Sequence, residues 1–447
     1  MRVESSVAAR LTVDDAIIDS RGGTVAGNPL TTVAVLLIAA NAGLALWLLY
    51  RRDSRWAVAL WAAALFFTPV YVNFSIQSIT LTVLDILTIA SLAACAPQSK
   101  LRWTVIDTLV VGAFVSIFLG LLFGGVPGHV QYSVLSWLLP YAWGRVAFAQ
   151  VGMEWIAICI SVGAVGASVL AIAEFLSGSN LYVTLPGVAG EMWTSLQYRG
   201  GLLRAEGAFG HSISLGSSLA VSSAFLLATP WRLWVKATAF AIVTTAVVMT
   251  FSRIGLVGLV LVVVFAALFL GRYIRPAHRI AVSCVTLIAT AVAMPLISTV
   301  FDDAGEEAAG SAEYRADLLP LVRQMVYIGV TPAREVSADG IDYYGGFQSI
   351  DSALILTGLR HGLIPLALFV VMLAVCAAVV FSGRGNPAAV AVLSQLPALA
   401  TVALITQYAQ FLWFVAGVAV AACSVESSRR RSALITSGDE RSILEVP

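Results

Sequence analysis

Apolar residues gather along the chain into blocks of about 17 to 24, separated by short polar stretches. Each block is long enough, as a helix, to cross a hydrocarbon core of roughly 30 Å. Thirteen can be drawn, at roughly 30–50, 56–73, 78–96, 103–123, 131–150, 153–175, 212–229, 231–251, 254–271, 280–300, 352–381, 387–405 and 407–424. The fifth is the weakest, interrupted by Gln131, Ser133, Ser136, Pro140 and Arg145. The pattern predicts an all-α protein, a polytopic transmembrane bundle of about 12–13 spans covering 30–424. A polar N-terminal tail (1–29) and a polar C-terminal tail (425–447) flank it.

Composition agrees, with 59% hydrophobic and only 11% charged residues, where a soluble domain carries about 25% charged. The net charge of +1 singles out no partner, and no nucleic acid is expected. Cys95, Cys159, Cys284, Cys376 and Cys423 all fall inside apolar blocks, where they read as small packing residues. No cleavable signal peptide stands out, since the first block is long enough to span. The connections alternate in charge. Arg51, Arg52 and Arg55, then Lys100 and Arg102, Arg232 and Lys236, Arg272, Arg275 and Arg279, Arg384, and Arg429 to Arg431 mark alternate ones, while 74–77 and 124–130 carry no Lys or Arg. The positive-inside rule puts the basic set in the cytoplasm. The C-terminus is then cytoplasmic, and with thirteen spans the N-terminus is outside.

Two long polar insertions, 176–211 and 301–351, fall on the extracytoplasmic side, and loops of that length usually carry function. The second holds nine acidic residues from Asp302 to Asp342 against Arg315, Arg323 and Arg334. Within it, Tyr314–Ile328 reads as an amphipathic helix with Leu318, Leu319, Leu321, Val322, Met325 and Val326 on the apolar face, which would lie along the membrane. No internal repeat is evident, which weighs against an inverted-repeat transporter.

Charges in or beside apolar blocks are the candidates for chemistry, because burying them there costs a few kcal/mol each. At the outer side these are Arg204 and Glu206 in "LRAEGAFGH", Arg253 at a helix–helix turn, Arg315, and Asp351 before the eleventh block, with Arg360 and His361 farther along. Several arginines on one outer surface suit a multiply charged anion such as a lipid diphosphate, and a nearby carboxylate or histidine could take a proton from an attacking hydroxyl. Plainer roles stand beside these: an Arg204–Glu206 ion pair, a snorkelling Arg253, an N-capping His211 or Asp351, and Asp85 and Asp107 satisfying neighbouring helices.

The order of these features resembles the O-antigen ligase and O-antigen polymerase superfamily. Arg204-x-x-Gly207-x-Phe209 is similar to its "RxxGxF" loop and Ser252-Arg253 to its "SR" turn. "SAEYRADLL" resembles its entry into an amphipathic helix, and "SIDSALILTGLRHGLIPLAL" its "(H/D)NxxLxxLxxxGLxGL" exit. The similarity spans roughly 200–370. It implies a GT-C-like glycosyltransferase in the bacterial inner (plasma) membrane, its active site facing outside the cytoplasm. The donor would be a polyprenyl-diphosphate-linked glycan, the acceptor a glycan or lipid-linked glycan, with no cofactor and no metal. On that resemblance Arg204 and Arg315, with Arg253, hold the diphosphate, and Asp351 or Glu206 is the base. The family's ligases place a histidine and an asparagine where this chain has Asp351-Ser352, so the resemblance points to a surface-polysaccharide polymerase. A ligase transferring finished glycan, or a lipid-linked oligosaccharide flippase or other transporter, are the competing expectations.

Overall fold

The computed structural model describes residues 29–443 except 77–78, 184–195, 289–313, 315–316 and 339–340, with side chains described between 41 and 427. The chain is mostly helical, at 74%, with a few short strands. Helices α1 (Pro29–Arg52), α2 (Ser54–Phe67), α3 (Val83–Cys95), α4 (Val105–Gly120), α5 (Pro127–Ser133) and α6 (Leu139–Ser177) form the first half. Then come α7 (Ser212–Ala228), α8 (Leu233–Met249), α9 (Arg253–Phe269) and α10 (Pro276–Ile288). The last group is α11 (Ala353–His361), α12 (Leu363–Val379), α13 (Pro387–Ser394), α14 (Leu396–Thr401) and α15 (Thr406–Ile443). Three two-stranded antiparallel hairpins interrupt them: β1 (Asn73–Ile76) with β2 (Ile79–Thr82), β3 (Tyr198–Arg199) with β4 (Leu202–Leu203), and β5 (Arg334–Val336) with β6 (Asp342–Tyr344).

Four helical stretches among the described residues are long and apolar enough to cross a membrane: Val105–Phe123, Pro127–Ser177, Leu363–Arg384 and Thr406–Ser427. Helix α1 has 24 residues; seven further apolar helices, α2 and α3 among them, run to 10–17 residues, fewer than the roughly 20 that a full crossing takes. The fifth and sixth apolar blocks form one long stretch broken at Gly152, whose φ of 72° and ψ of 179° are not helical. The eleventh block is cut at Gly362, φ 98°, into α11 and α12. The segment expected as a polar tail continues α15 to Ile443.

The amphipathic helix expected over Tyr314–Ile328 is shorter. A 3₁₀ turn, Leu319–Gln324, ends it, with Pro320 near its start and no helix beyond Met325. Leu318, Leu321 and Met325 bury against Tyr344, Ile350 and Leu359, while Leu319 and Val322 are exposed.

Hydrogen bonds gather the connections into two ends. At the basic end, the Trp155 indole donates to Arg55 O (3.1 Å), Gln150 to Ser99 Oγ (2.9 Å) and Arg145 to Arg102 O (2.5 Å) and Asp107 (3.0 Å). There too, Lys236 Nζ donates to Leu227 O (2.9 Å), and Arg272 ties Gly385 O (2.8 Å) to Glu426. At the opposite, loop-rich end, Tyr71 OH donates to Tyr182 O (2.5 Å), and Gln407 Nε2 to both Thr68 O (2.6 Å) and Ala208 O (3.3 Å). The α6–α15 crossing between these ends is close, since a Cβ added at Gly144 would meet Phe414 O at 2.0 Å and one at Gly417 would meet Tyr141 O at 2.1 Å.

Candidate functional site

Two assemblies stand side by side at the loop-rich end. The first holds Arg204 and Glu206. Strands β3 and β4 are turned by Gly200 and Gly201, both at positive φ (53° and 75°), the conformation a two-residue hairpin favours. The chain then docks on α8, with Ala205 N–H donating to Met249 O (3.1 Å) and Arg204 Nε to Thr250 O (3.1 Å). Glu174, in the last turn of α6, receives the next two amides, Glu206 N–H at 3.0 Å and Gly207 N–H at 2.9 Å, as well as Asn180 Nδ2 at 2.9 Å.

Glu206 accepts from Gln197 N–H (3.0 Å). Burial pushes its carboxyl up to about 8; the Gln197 bond and Arg204 pull against this, and Glu174 adds to it. His211 N-caps α7, its Nδ1 accepting from Ile213 N–H (3.2 Å), and burial with Arg204 nearby pushes it down to about 3. Arg204 is only 8% exposed and Glu206 4%. Arg204, expected at the outer side to hold a diphosphate, is a buried, docked side chain, and Glu206 accepts from a backbone amide.

The second assembly surrounds a cavity of about 40 Å³ between the β5–β6 hairpin and α11, room for a few waters or a small anionic or hydroxylic group. Asp342, Arg360, His361 and the rings of Tyr132, Trp137 and Tyr344 line it. Asp342 is clamped by His129 Nε2 (2.9 Å) and Arg334 (2.6 Å). Burial alone would raise its carboxyl, but these two partners outweigh that and hold it down at about 2. His361 Nε2 lies 3.0 Å from Ser133 Oγ, and that hydroxyl also reaches His129 O at 2.9 Å. Burial, reinforced by His129 and Arg360, pushes His361 down to about 3; α11, which carries it, precedes the apolar stretch that begins at Leu363.

Asp351 stands at the edge of this cavity. Its Oδ1 accepts from the hydroxyl of Ser349, a lining residue, at 3.1 Å. The N-cap of α11 is Ser352, whose Oγ accepts from Ile355 N–H (3.2 Å), so Asp351 is free of the capping role that was its plainer reading. Arg253 opens α9 on the exposed surface behind its N-cap Ser252, away from the cavity lining. Arg315 lies outside the described residues.

The segment 402–407 joins the two assemblies. Val402 O accepts from Ala353 N–H (3.0 Å), Leu404 O from Tyr132 OH (2.6 Å), and Gln407 reaches Ala208 in the Arg204 loop. Sequence reasoning missed His129, Asp342, Glu174 and Gln407 as parts of this region. His129 and Asp342 are 213 residues apart, and no local pattern announces such a pair. Asp85 and Asp107 were read as satisfying neighbouring helices, and each sits in a capping box at a helix start. Asp85 also accepts from Gln410, and Asp107 pairs with Arg145. Among the described residues no group of three or more His, Cys, Asp or Glu is placed to hold a metal ion.

Compared with known proteins, the chain matches no family model and no curated sequence.

Proposed function

We propose that the protein is a GT-C-like membrane glycosyltransferase of the bacterial inner membrane, transferring a glycan from a polyprenyl diphosphate to an acceptor hydroxyl outside the cytoplasm. The observation that carries this is the small cavity at the loop-rich end, with a few charged groups set in a largely apolar wall. It is lined by Arg360, His361 and Asp342, edged by Asp351, walled by aromatic rings and joined through 402–407 to the Arg204 loop. Cationic and hydroxyl-binding groups at one membrane face suit a donor whose head is anionic and whose leaving group departs with charge. The basic connections gather at the other end, which supports an outward-facing site by the positive-inside rule. The high helix content and the four long apolar stretches fit a protein embedded in a membrane.

In this reading Arg204, Arg315 and Arg253 draw the diphosphate to the loop-rich end. Of the two carboxylates expected as base, Asp351 is the one beside the cavity. Glu206 is buried against Gln197 N–H and lies outside the cavity lining. The internal charges Asp85, Asp107 and Arg145 are engaged in caps and pairs, whereas a transporter needs charges poised through the depth of the bilayer.

Sizing lipid-linked and surface glycans tests the proposal. Cells lacking the protein should accumulate single repeat units, and Arg204→Ala or Arg315→Ala should abolish chain extension while the protein remains membrane-inserted. Normal polymer length in both variants sinks the assignment. Transfer of finished glycan off the lipid, without lengthening, replaces polymerase by ligase.

A further inference from the structure

The chain has four histidines, and two of them, His129 and His361, lie with ring centroids 6.5 Å apart beside the cavity. Both are buried, 4% exposed each, although neither caps a helix. An ionisable ring is costly to bury in a membrane protein, so their placement calls for a chemical account.

The hydrogen bonds fix which nitrogen of His361 carries its proton. Ser133 has one hydroxyl hydrogen, and its carbonyl neighbour His129 O, at 2.9 Å, can only accept it. The contact between Ser133 Oγ and His361 Nε2, 3.0 Å, is then satisfied when Nε2–H donates and the hydroxyl oxygen accepts. A neutral imidazole protonated at Nε2 has its lone pair on Nδ1. Among the described residues, nothing hydrogen-bonds to His361 Nδ1, while the residue itself lines the cavity. The groups around the ring favour the neutral form. Arg360 follows the same helix, His129 comes from α5, and the carboxylate of Asp342 on the β5–β6 hairpin is already taken by His129 and Arg334. Trp137 packs against the ring at 5.7 Å and holds its plane.

We propose that His361, through Nδ1, is the group that takes the proton from the acceptor hydroxyl in this cavity, with Ser133 as the positioning residue that fixes its tautomer. The inference rests on the transferase reading. In the step, the acceptor O–H bond breaks and its proton passes to Nδ1. The oxygen lone pair forms the new bond to the anomeric carbon. The bond from that carbon to the diphosphate oxygen breaks, and its electron pair leaves with the polyprenyl diphosphate. The imidazolium then returns its proton to water. Asp351, whose carboxylate accepts from the lining residue Ser349, is the rival base at the cavity edge.

Two measurements on the full-length protein test this. With a purified polyprenyl-diphosphate-linked repeat unit as donor, His361→Gln keeps an amide donor for Ser133 but has no basic nitrogen. It should lower kcat roughly 10²- to 10⁴-fold, the usual worth of a general base, with KM for the donor little changed. Independently of activity, ¹⁵N NMR of histidine-labelled protein at neutral pH should show His361 protonated at Nε2 and bare at Nδ1, its signals assigned by their loss in His361→Gln. A wild-type kcat in His361→Gln, the whole loss falling on Asp351→Asn, or a proton on Nδ1 overturns the assignment. A bare Nδ1 in wild-type protein that transfers nothing from this donor removes the transferase reading, and the role of His361 with it.

Discussion

Glu206 shows how far a residue's surroundings can reverse its apparent chemistry. Between Arg204 and two glycines it reads as an exposed acid, yet it is 4% exposed and its pKa is raised, chiefly by burial, to about 8. A carboxyl whose folded pKa exceeds its unfolded value of 4.5 loses stabilisation as pH rises between the two, because the unfolded chain releases its proton first. Glu206→Gln keeps the acceptor for Gln197 N–H and removes that penalty. The variant should melt at a higher temperature than wild type at pH 8, with the gap closing as pH falls toward 4.5, as followed by thermal unfolding in detergent. Equal melting shifts at both ends would show that Glu206 is not the titrating group. The sequence could not display this environment. The partners of the loop, Glu174, Gln197, Met249 and Thr250, arrive from three elements, and only Gln197 is close along the chain.

Helices were the most legible elements, because an apolar block announces itself by length and composition alone. Their breaks were less so. Gly152 falls in the gap drawn between the fifth and sixth blocks, but Gly362 interrupts the eleventh at positive φ, where glycine is at ease and a periodicity count sees nothing unusual. Pro320 sits at the start of the 3₁₀ turn Leu319–Gln324, a place where its missing N–H costs nothing. Two hairpins were hidden inside polar connections and β2 inside the apolar block 78–96, although Gly200-Gly201 is a two-residue turn signal of the kind that marks a hairpin. At the level of helix packing, the α6–α15 crossing depends on Gly144 and Gly417 facing bare backbone, the small-residue approach typical of membrane helices. Gly144→Val places carbons where Phe414 O already is. Forced apart, the pair should cost at least the roughly 1–3 kcal/mol typical of overpacking, read as loss of the monodisperse peak in size-exclusion chromatography after solubilisation. A substitution at Gly128, where an added Cβ meets nothing within 4 Å, is the matched control and should behave as wild type.

Across the whole molecule, charge sorts the connections into two ends, and this was readable before any coordinates because arginine and lysine recur in alternate loops. What charge counting could not supply is which loops touch. The cavity draws on α5, the β5–β6 hairpin, α11 and the 403–405 segment, spread over more than half the chain. Thiol labelling in intact cells checks the orientation. A cysteine at Tyr343 should react with a membrane-impermeant maleimide from outside, and one at Gly385 only after the membrane is opened. The reverse pattern would turn the protein over and place the cavity in the cytoplasm.

The strip from Val402 to Gln407 gives this arrangement a practical corollary. Its backbone accepts a bond from the start of α11 and one from Tyr132, and Gln407 clasps both the Arg204 loop and the end of α2. One short strip thus serves as a common hinge-pin for parts encoded far apart. A change in this strip is therefore felt together at Tyr132, at the start of α11 and in the Arg204 loop, three places that no stretch of sequence links.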